Sequence, residues 1–167
     1  WELETWGALF DRTKDGRISQ RNFGGHEYPR LAHVGDRTGL ELIRTMQQKI
    51  VALQQKDKEK FGDAEKYIKV FAELTITSIV KDGKKAAGCY GYWRETGEEV
   101  LFEAPAVVLA TGGIGKSFKI TSNSWEGTGD GHALALKAGS ALVDMEFVQF
   151  HPTGKYSKNT FFFHKKC

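Results

Sequence analysis

Cysteine is scarce in this sequence, and long apolar runs are absent. The 167 residues include two cysteines, Cys89 and Cys167, which are too few for a disulfide framework or a zinc site. This cysteine usage fits a reducing compartment. No stretch approaches the roughly 20 apolar residues of a transmembrane helix, and we expect no signal peptide. The sequence therefore predicts neither a metal site nor a membrane span of its own.

An excess of basic charge is also lacking. Lysine and arginine number 24 against 21 acidic residues, and the formal net charge is only +3. Because no basic stripe interleaved with aromatic residues occurs, we expect no nucleic-acid partner. A hydrophobic content of 40% and a charged content of 27% are typical of a globular protein with a sizeable core.

The first half of the chain predicts irregular structure followed by one helix. Residues 1–35 are rich in glycine, arginine and aromatic residues, which favours loops with short strands at best. Apolar residues then recur at helical spacing and predict a helix over about 39–56. We expect Asp36 and Thr38 to cap it, with Glu41 completing a capping box. Four residues should face inward: Leu40, Ile43, Ile50 and Leu53.

In the second half of the chain, apolar and polar residues alternate in a way that predicts β-strands. The runs "ELTITSIVKDG", "AAGCYGYWRE" and "EEVLFEA" predict a three-stranded antiparallel meander. The unbroken apolar run at 107–110 predicts a buried strand with parallel neighbours. The segment "GDGHALALKAG" predicts a short helix that Asp130 caps and Gly139 ends. The segment after it should be extended and lead to His151.

Three short motifs suggest a ligand site, although each has a plainer explanation. "VVLATGG" ends a predicted buried strand in glycines, which would let a ligand approach the backbone or simply form a tight turn. "TGDG" opens a helix, where free N–H groups suit an anion or a hydroxyl-rich ligand, or where Asp130 serves only as a cap. "FGG" at 23–25 is a glycine-hinged loop or an ordinary turn. His151 alone would more often be a structural histidine.

Taken together and in this order, the motifs resemble a known family. "DGRISQRNFGG", "DRTG", "VVLATGGIG", "TGDG", "ALKAG" and "DMEFVQFHPTG" are similar in order and spacing to the flavoprotein subunit of succinate dehydrogenase and fumarate reductase. The "FGGHEYPR" form most resembles the actinobacterial-type enzymes. L-Aspartate oxidase is a near relative that shares most of these motifs.

The resemblance implies a role for each matching residue. His151 of "HPTG" would hydrogen-bond a carboxylate of the dicarboxylate substrate. Asp130 of "TGDG" would contact the FAD cofactor, and the strand near Thr75–Thr77 would offer its backbone to the adenine. The remaining cofactor-binding residues it implies are glycines and one threonine: Thr111, Gly112, Gly113, Gly24 and Gly25.

The implied fold is α/β, a partial Rossmann-like FAD-binding domain over residues 1–154 with the antiparallel meander inserted. No G-x-G-x-x-G pattern occurs, so we expect the phosphate-binding βαβ unit to be lacking. Residues 155–167 match none of the family's next motifs and form a divergent tail, so the capping domain should be lacking too. The chain, which begins at Trp1, is therefore expected to be a fragment.

The resemblance also implies an activity and partners. The whole enzyme would interconvert succinate and fumarate by hydride transfer to FAD and pass electrons to an iron–sulfur subunit. Membrane anchor subunits would hold it peripherally at the cytoplasmic face of the bacterial plasma membrane. Two alternatives stay open: an enzyme like L-aspartate oxidase, or a non-catalytic truncated chain. This chain alone is expected to be inactive.

Overall fold

Two units divide the chain, residues 1–70 and residues 71–167. The structure is a computed structural model that describes residues 1–22, 26–150, 155–157 and 160–162. Unit 1 contains, in chain order, α1 (Glu2–Thr5), β1 (Gln20–Arg21), β2 (Leu31–Ala32) and α2 (Thr38–Phe61). Unit 2 contains, in chain order, β3 (Leu74–Asp82), β4 (Lys85–Trp93), β5 (Glu99–Glu103), a 3-10 turn (Gly115–Ser117), α3 (Asp130–Lys137), β6 (Lys155–Ser157) and β7 (Thr160–Phe162).

Helix α2 runs past the predicted end, through the charged residues that follow it. The lysine and glutamate side chains of this stretch are good helix formers, so the helix continues to Phe61. Gly62 ends it with φ of 76°, and its N–H donates to the carbonyl of Lys58 at 2.8 Å.

No side chain caps the start of α2, so the predicted caps Asp36 and Thr38 are wrong. The predicted capping box is also wrong, because the Glu41 carboxylate accepts the Leu9 N–H at 2.8 Å and pairs with Arg44. Hydrogen bonds from Arg44 and then Leu9 lower the pKa of Glu41 to about 2. Glu41 thus ties α2 to the segment after α1 instead of to its own first turn.

The predicted inward face of α2 is wrong as well. Leu40, Ile43 and Leu53 are 64%, 53% and 36% exposed, and Ile50 is half-buried. The buried residue of the helix is Thr45. Helix α1, which packs against α2, is only four residues long and is too short to cover the apolar stripe.

The predicted meander is confirmed. Strands β3, β4 and β5 pair antiparallel in that order. Phe71 packs against Trp93 and Phe102, with ring centroids 6.1 and 4.9 Å apart. Helix α3 packs on β3 and buries Leu134 until only 8% of it is exposed. The sheet and this helix form the framework that carries the residues discussed next.

Residues 107–110 do not form the predicted buried strand. They form no regular secondary structure, and Val108 is 88% exposed. A strand buried on both faces needs ladder partners on both sides. Among the described residues, the meander contains only β3, β4 and β5, so this run has no partner. The segment before residue 151 also departs from the extended prediction, with a turn at Asp144, where φ is 58°.

Candidate functional site

A pocket of about 310 Å³ gathers residues from two segments of unit 2. Three of the predicted cofactor-binding residues form one side, namely Thr111, Gly112 and Gly113. The other side comes from the segment before α3: Asn123, Ser124, Glu126 and Gly127. The structure therefore brings this predicted group together beside a second segment that the sequence did not single out.

Two hydrogen bonds join the loop that follows Gly113 to the segment before α3. The N–H of Lys116, in the 3-10 turn, donates to the carbonyl of Gly127 at 2.8 Å. The Ser117 hydroxyl donates to the carbonyl of Thr128 at 3.1 Å. The loop after the apolar run is therefore fixed against the segment that leads into α3.

Close approach of Thr111 to Gly131 brings the pocket to the start of α3. A Cβ at position 131 would overlap the Thr111 hydroxyl, so only glycine leaves room for this contact. Gly131 is buried, and it is the second residue of α3. Thr111 and the first turn of α3 consequently share one location, as the motif order had suggested.

Asp130 lies at this helix start, although not as the predicted N-cap. The N-cap residue is Gly129, which has no side chain, and Asp130 is the first helical residue. The Thr128 hydroxyl donates to Asp130 Oδ2 at 2.8 Å. A carboxylate here is favoured by the helix dipole, and its second oxygen is available to accept a hydrogen bond from a ligand. The prediction that Gly139 ends α3 is confirmed, since its N–H donates to the carbonyl of Leu136 at 3.0 Å.

The pocket suits one part of an extended cofactor. Cβ atoms at Gly112 and Gly113 would have no described atom within 4 Å, so the backbone faces open space that a ligand can enter. The first-turn N–H groups of α3 have no side-chain cap and can also donate. A volume near 310 Å³ is at the lower end for ligand sites, so it accommodates a portion of FAD.

Three predicted site residues, His151, Gly24 and Gly25, lie outside the described residues. Thr75, near the predicted adenine contact, lies in β3 and pairs with Tyr92 of β4. The residues that sequence reasoning missed are Asn123, Ser124 and Glu126. The signal that could have found them is the run of small and polar residues, "TSNSWEG", directly before "TGDG".

Neither a metal centre nor a membrane span occurs in the part of the chain that the structure describes. No group of three or more histidine, cysteine, aspartate or glutamate residues there is placed to hold a metal ion. No helix there is both long enough and apolar enough to cross a membrane.

Comparison with known families settles the class of the protein. The model for the FAD binding domain family matches residues 1–166. The chain belongs to this FAD-binding family. FAD, the cofactor that the resemblance implied, is thereby confirmed. The match also supports the coarser fold prediction, a small α/β structure with antiparallel sheets that is part of an FAD-binding domain.

Individual relatives confirm the resemblance to succinate dehydrogenase and fumarate reductase flavoproteins. The fumarate reductase flavoprotein subunit of Mycobacterium tuberculosis is 39% identical over 153 residues, 92% of this chain and 24% of the relative. The succinate dehydrogenase flavoprotein subunit of Coxiella burnetii is 38% identical over 164 residues, 93% of this chain and 26% of the relative. These names do not favour the L-aspartate oxidase alternative.

A solved structure is more similar still. A chain of Mycobacterium smegmatis Sdh1 is 77% identical and superimposes with a TM-score of 0.89, over 92% of this chain and 26% of that one. This agrees with the expected similarity to actinobacterial-type enzymes. The chain spans about a quarter of the length of the curated relatives it matches.

Proposed function

We propose that this chain is the cofactor-binding part of a flavoprotein subunit that interconverts succinate and fumarate. The observation that carries the proposal is the shared pocket of Thr111, Gly112 and Gly113, which lies at the start of α3 beside Asp130. The resemblance to the flavoprotein family implies these four residues as cofactor contacts. The names of the similar flavoprotein subunits support the substrate pair.

Each of these four residues has a role that its chemistry permits. The open backbone at Gly112 and Gly113 lets FAD approach closely, because no side chain fills the space. Asp130 accepts a hydrogen bond from the cofactor through the oxygen that Thr128 does not occupy. Thr111 packs against Gly131 and keeps these groups at a fixed separation. Bound FAD supplies the acceptor for the two electrons that succinate loses.

His151 is proposed to hold the substrate. An imidazole N–H is a directional donor, and hydrogen bonds to a carboxylate are among the stronger ones in proteins. Holding one carboxylate of succinate fixes the carbon atoms that lose hydrogen relative to the flavin. Gly24 and Gly25 are proposed to form a loop near the cofactor, where their lack of side chains permits a close approach.

The proposed partners follow from the relatives, which are named as subunits of larger enzymes. Electrons would leave FAD for an iron–sulfur subunit docked on the flavoprotein. Membrane anchor subunits would place the assembly peripherally at the cytoplasmic face of the bacterial plasma membrane. The alternative is a truncated chain that has lost catalysis and binds FAD weakly or not at all.

The test is the flavin content of the full-length protein that carries this chain, with Asp130→Ala compared to the unsubstituted protein. The substitution removes the Asp130 carboxylate, which is proposed to accept a hydrogen bond from the cofactor. The amount of FAD retained after gel filtration should therefore fall, because a hydrogen bond to a charged group contributes about 1.5–3 kcal/mol. Asp82→Ala is the matched control, since Asp82 is exposed at the end of β3, outside the segments that carry Thr111, Gly112, Gly113 and Asp130. Equal FAD content in both variants would contradict the proposed role of Asp130.

A further inference from the structure

Asn123 is held in the pocket by two contacts. Its side-chain amide occupies the space that a Cβ on Gly115 would need, so glycine at 115 is what allows the amide to lie there. Its backbone N–H donates to the Thr121 hydroxyl at 3.1 Å. Both contacts fix the residue without using the hydrogen-bonding capacity of its side chain.

The amide of Asn123 makes no hydrogen bond to any other residue that the structure describes. An asparagine side chain carries a carbonyl acceptor and an NH₂ donor side by side. The NH₂ nitrogen is the atom that lies against Gly115, and neither it nor the carbonyl has a hydrogen-bond partner among the described residues, so the exposed side chain can still bond a ligand. Sequence motifs had not singled out this residue, and none of the roles assigned above uses it.

A paired donor and acceptor select a particular ligand chemistry. Asparagine reads adenine through a bidentate contact to an N–H donor and an adjacent ring-nitrogen acceptor. The pyrimidine edge of a flavin offers the same arrangement, an N–H beside a carbonyl. A diphosphate offers acceptors only, and Glu126, which lines the same pocket, would repel its negative charge.

We infer that the Asn123 amide hydrogen-bonds the donor and the adjacent acceptor at the edge of a nitrogen heterocycle of FAD in this pocket. The inference rests on the proposed function, since it assumes that FAD occupies the pocket. FAD has two such heterocycles, the adenine and the flavin ring system, and both present the chemistry that the amide requires. Asn123 is then a specificity-determining residue of the cofactor site.

The experiment observes the amide directly. In the ¹⁵N-labelled chain, the side-chain NH₂ signal of Asn123 is assigned as the one missing from Asn123→Leu. AMP, FMN and ribose 5-phosphate are then added separately, because all three carry one phosphate and the last has no heterocycle. If only AMP changes the chemical shift of this NH₂ signal, Asn123 contacts the adenine end of FAD. If only FMN changes it, Asn123 contacts the flavin end. An equal shift with ribose 5-phosphate, or no shift with any of them, overturns the inference.

Cofactor affinity gives a second, independent measurement. FAD is titrated into the full-length protein that carries this chain and into its Asn123→Leu and Ser122→Ala variants, with quenching of flavin fluorescence as the readout. We expect about tenfold weaker binding for Asn123→Leu, as loss of a bidentate contact would give. Ser122→Ala should bind like the unsubstituted protein, because Ser122 does not line the pocket. If Asn123→Leu binds FAD as tightly as the unsubstituted protein, the inference about Asn123 is overturned, but the proposed binding of cofactor is not. Absence of FAD binding to the unsubstituted full-length protein would instead contradict the proposed binding of cofactor.

Discussion

Individual residues carry most of what can be tested about the pocket. Thr111 and Gly131 come from segments 20 positions apart, yet their contact leaves no space for even one methyl group. The resemblance carried by "ATGG" and "TGDG" predicts that Thr111 and Asp130 share one site, and the structure places Thr111 against Gly131, the neighbour of Asp130. Asn123 was missed because an asparagine among small polar residues has no periodicity of its own, and only its place in the run "TSNSWEG", directly before "TGDG", points to it.

Gly131→Ala should separate the two halves of the pocket. The added Cβ would overlap the Thr111 hydroxyl, so the backbone of one segment must move, at a cost of about 1–3 kcal/mol in the free energy of unfolding. Urea denaturation measures the change. Gly39→Ala in α2 is the matched control, because its Cβ would meet no described atom within 4 Å. A loss of stability no larger than in this control would show that the close contact is not important.

His151→Ala, made in the full-length enzyme, separates a substrate ligand from a structural histidine. Removing one donor to the substrate carboxylate should cost about 2–4 kcal/mol of transition-state stabilisation, by analogy with single-donor deletions at oxyanion holes. Succinate turnover should therefore fall steeply while the FAD content stays unchanged. Steady-state kinetics and the flavin absorbance of the purified enzyme measure both quantities. Near-normal turnover would return His151 to a structural role.

At the scale of helices and strands, the sequence pattern within each segment predicted strand pairing better than it predicted which side chains are buried. The alternation in β3, β4 and β5 was enough for the meander, because neighbouring strands joined by short turns find each other locally. The apolar stripe of α2 and the run at 107–110 were identified correctly as apolar, but their predicted burial was wrong. Burial depends on a covering element, and no periodicity within a segment reports whether one is present.

The contact between α3 and the sheet gives a prediction at this scale. The Lys81 ammonium, on β3, donates to the carbonyl of Ala138 at the C-terminus of α3, at 2.7 Å. Lys81→Met should destabilise unit 2 by about 0.3–1 kcal/mol, since a cation at this helix end interacts favourably with the dipole. Thermal unfolding followed by circular dichroism measures the change. Lys84→Met, in the turn between β3 and β4, is the matched control and should unfold like the unsubstituted chain.

At the scale of the whole molecule, the 167 residues are expected not to oxidise succinate by themselves. They contain no G-x-G-x-x-G pattern for the cofactor diphosphate, and they span about a quarter of the relatives. The assay is succinate-dependent reduction of an electron-accepting dye by the purified chain, with the full-length enzyme as positive control. Co-purified flavin together with dye reduction that depends on succinate would contradict this expectation.

The central claim is that FAD lies against Thr111, Gly112, Gly113 and Asp130. The most direct measurement is an experimental structure of the full-length protein with FAD bound. We predict cofactor atoms in van der Waals contact with the backbone of Gly112 and Gly113, and a cofactor donor within hydrogen-bond distance of the Asp130 carboxylate. FAD bound elsewhere, with this pocket filled by other side chains of the protein, would contradict the claim.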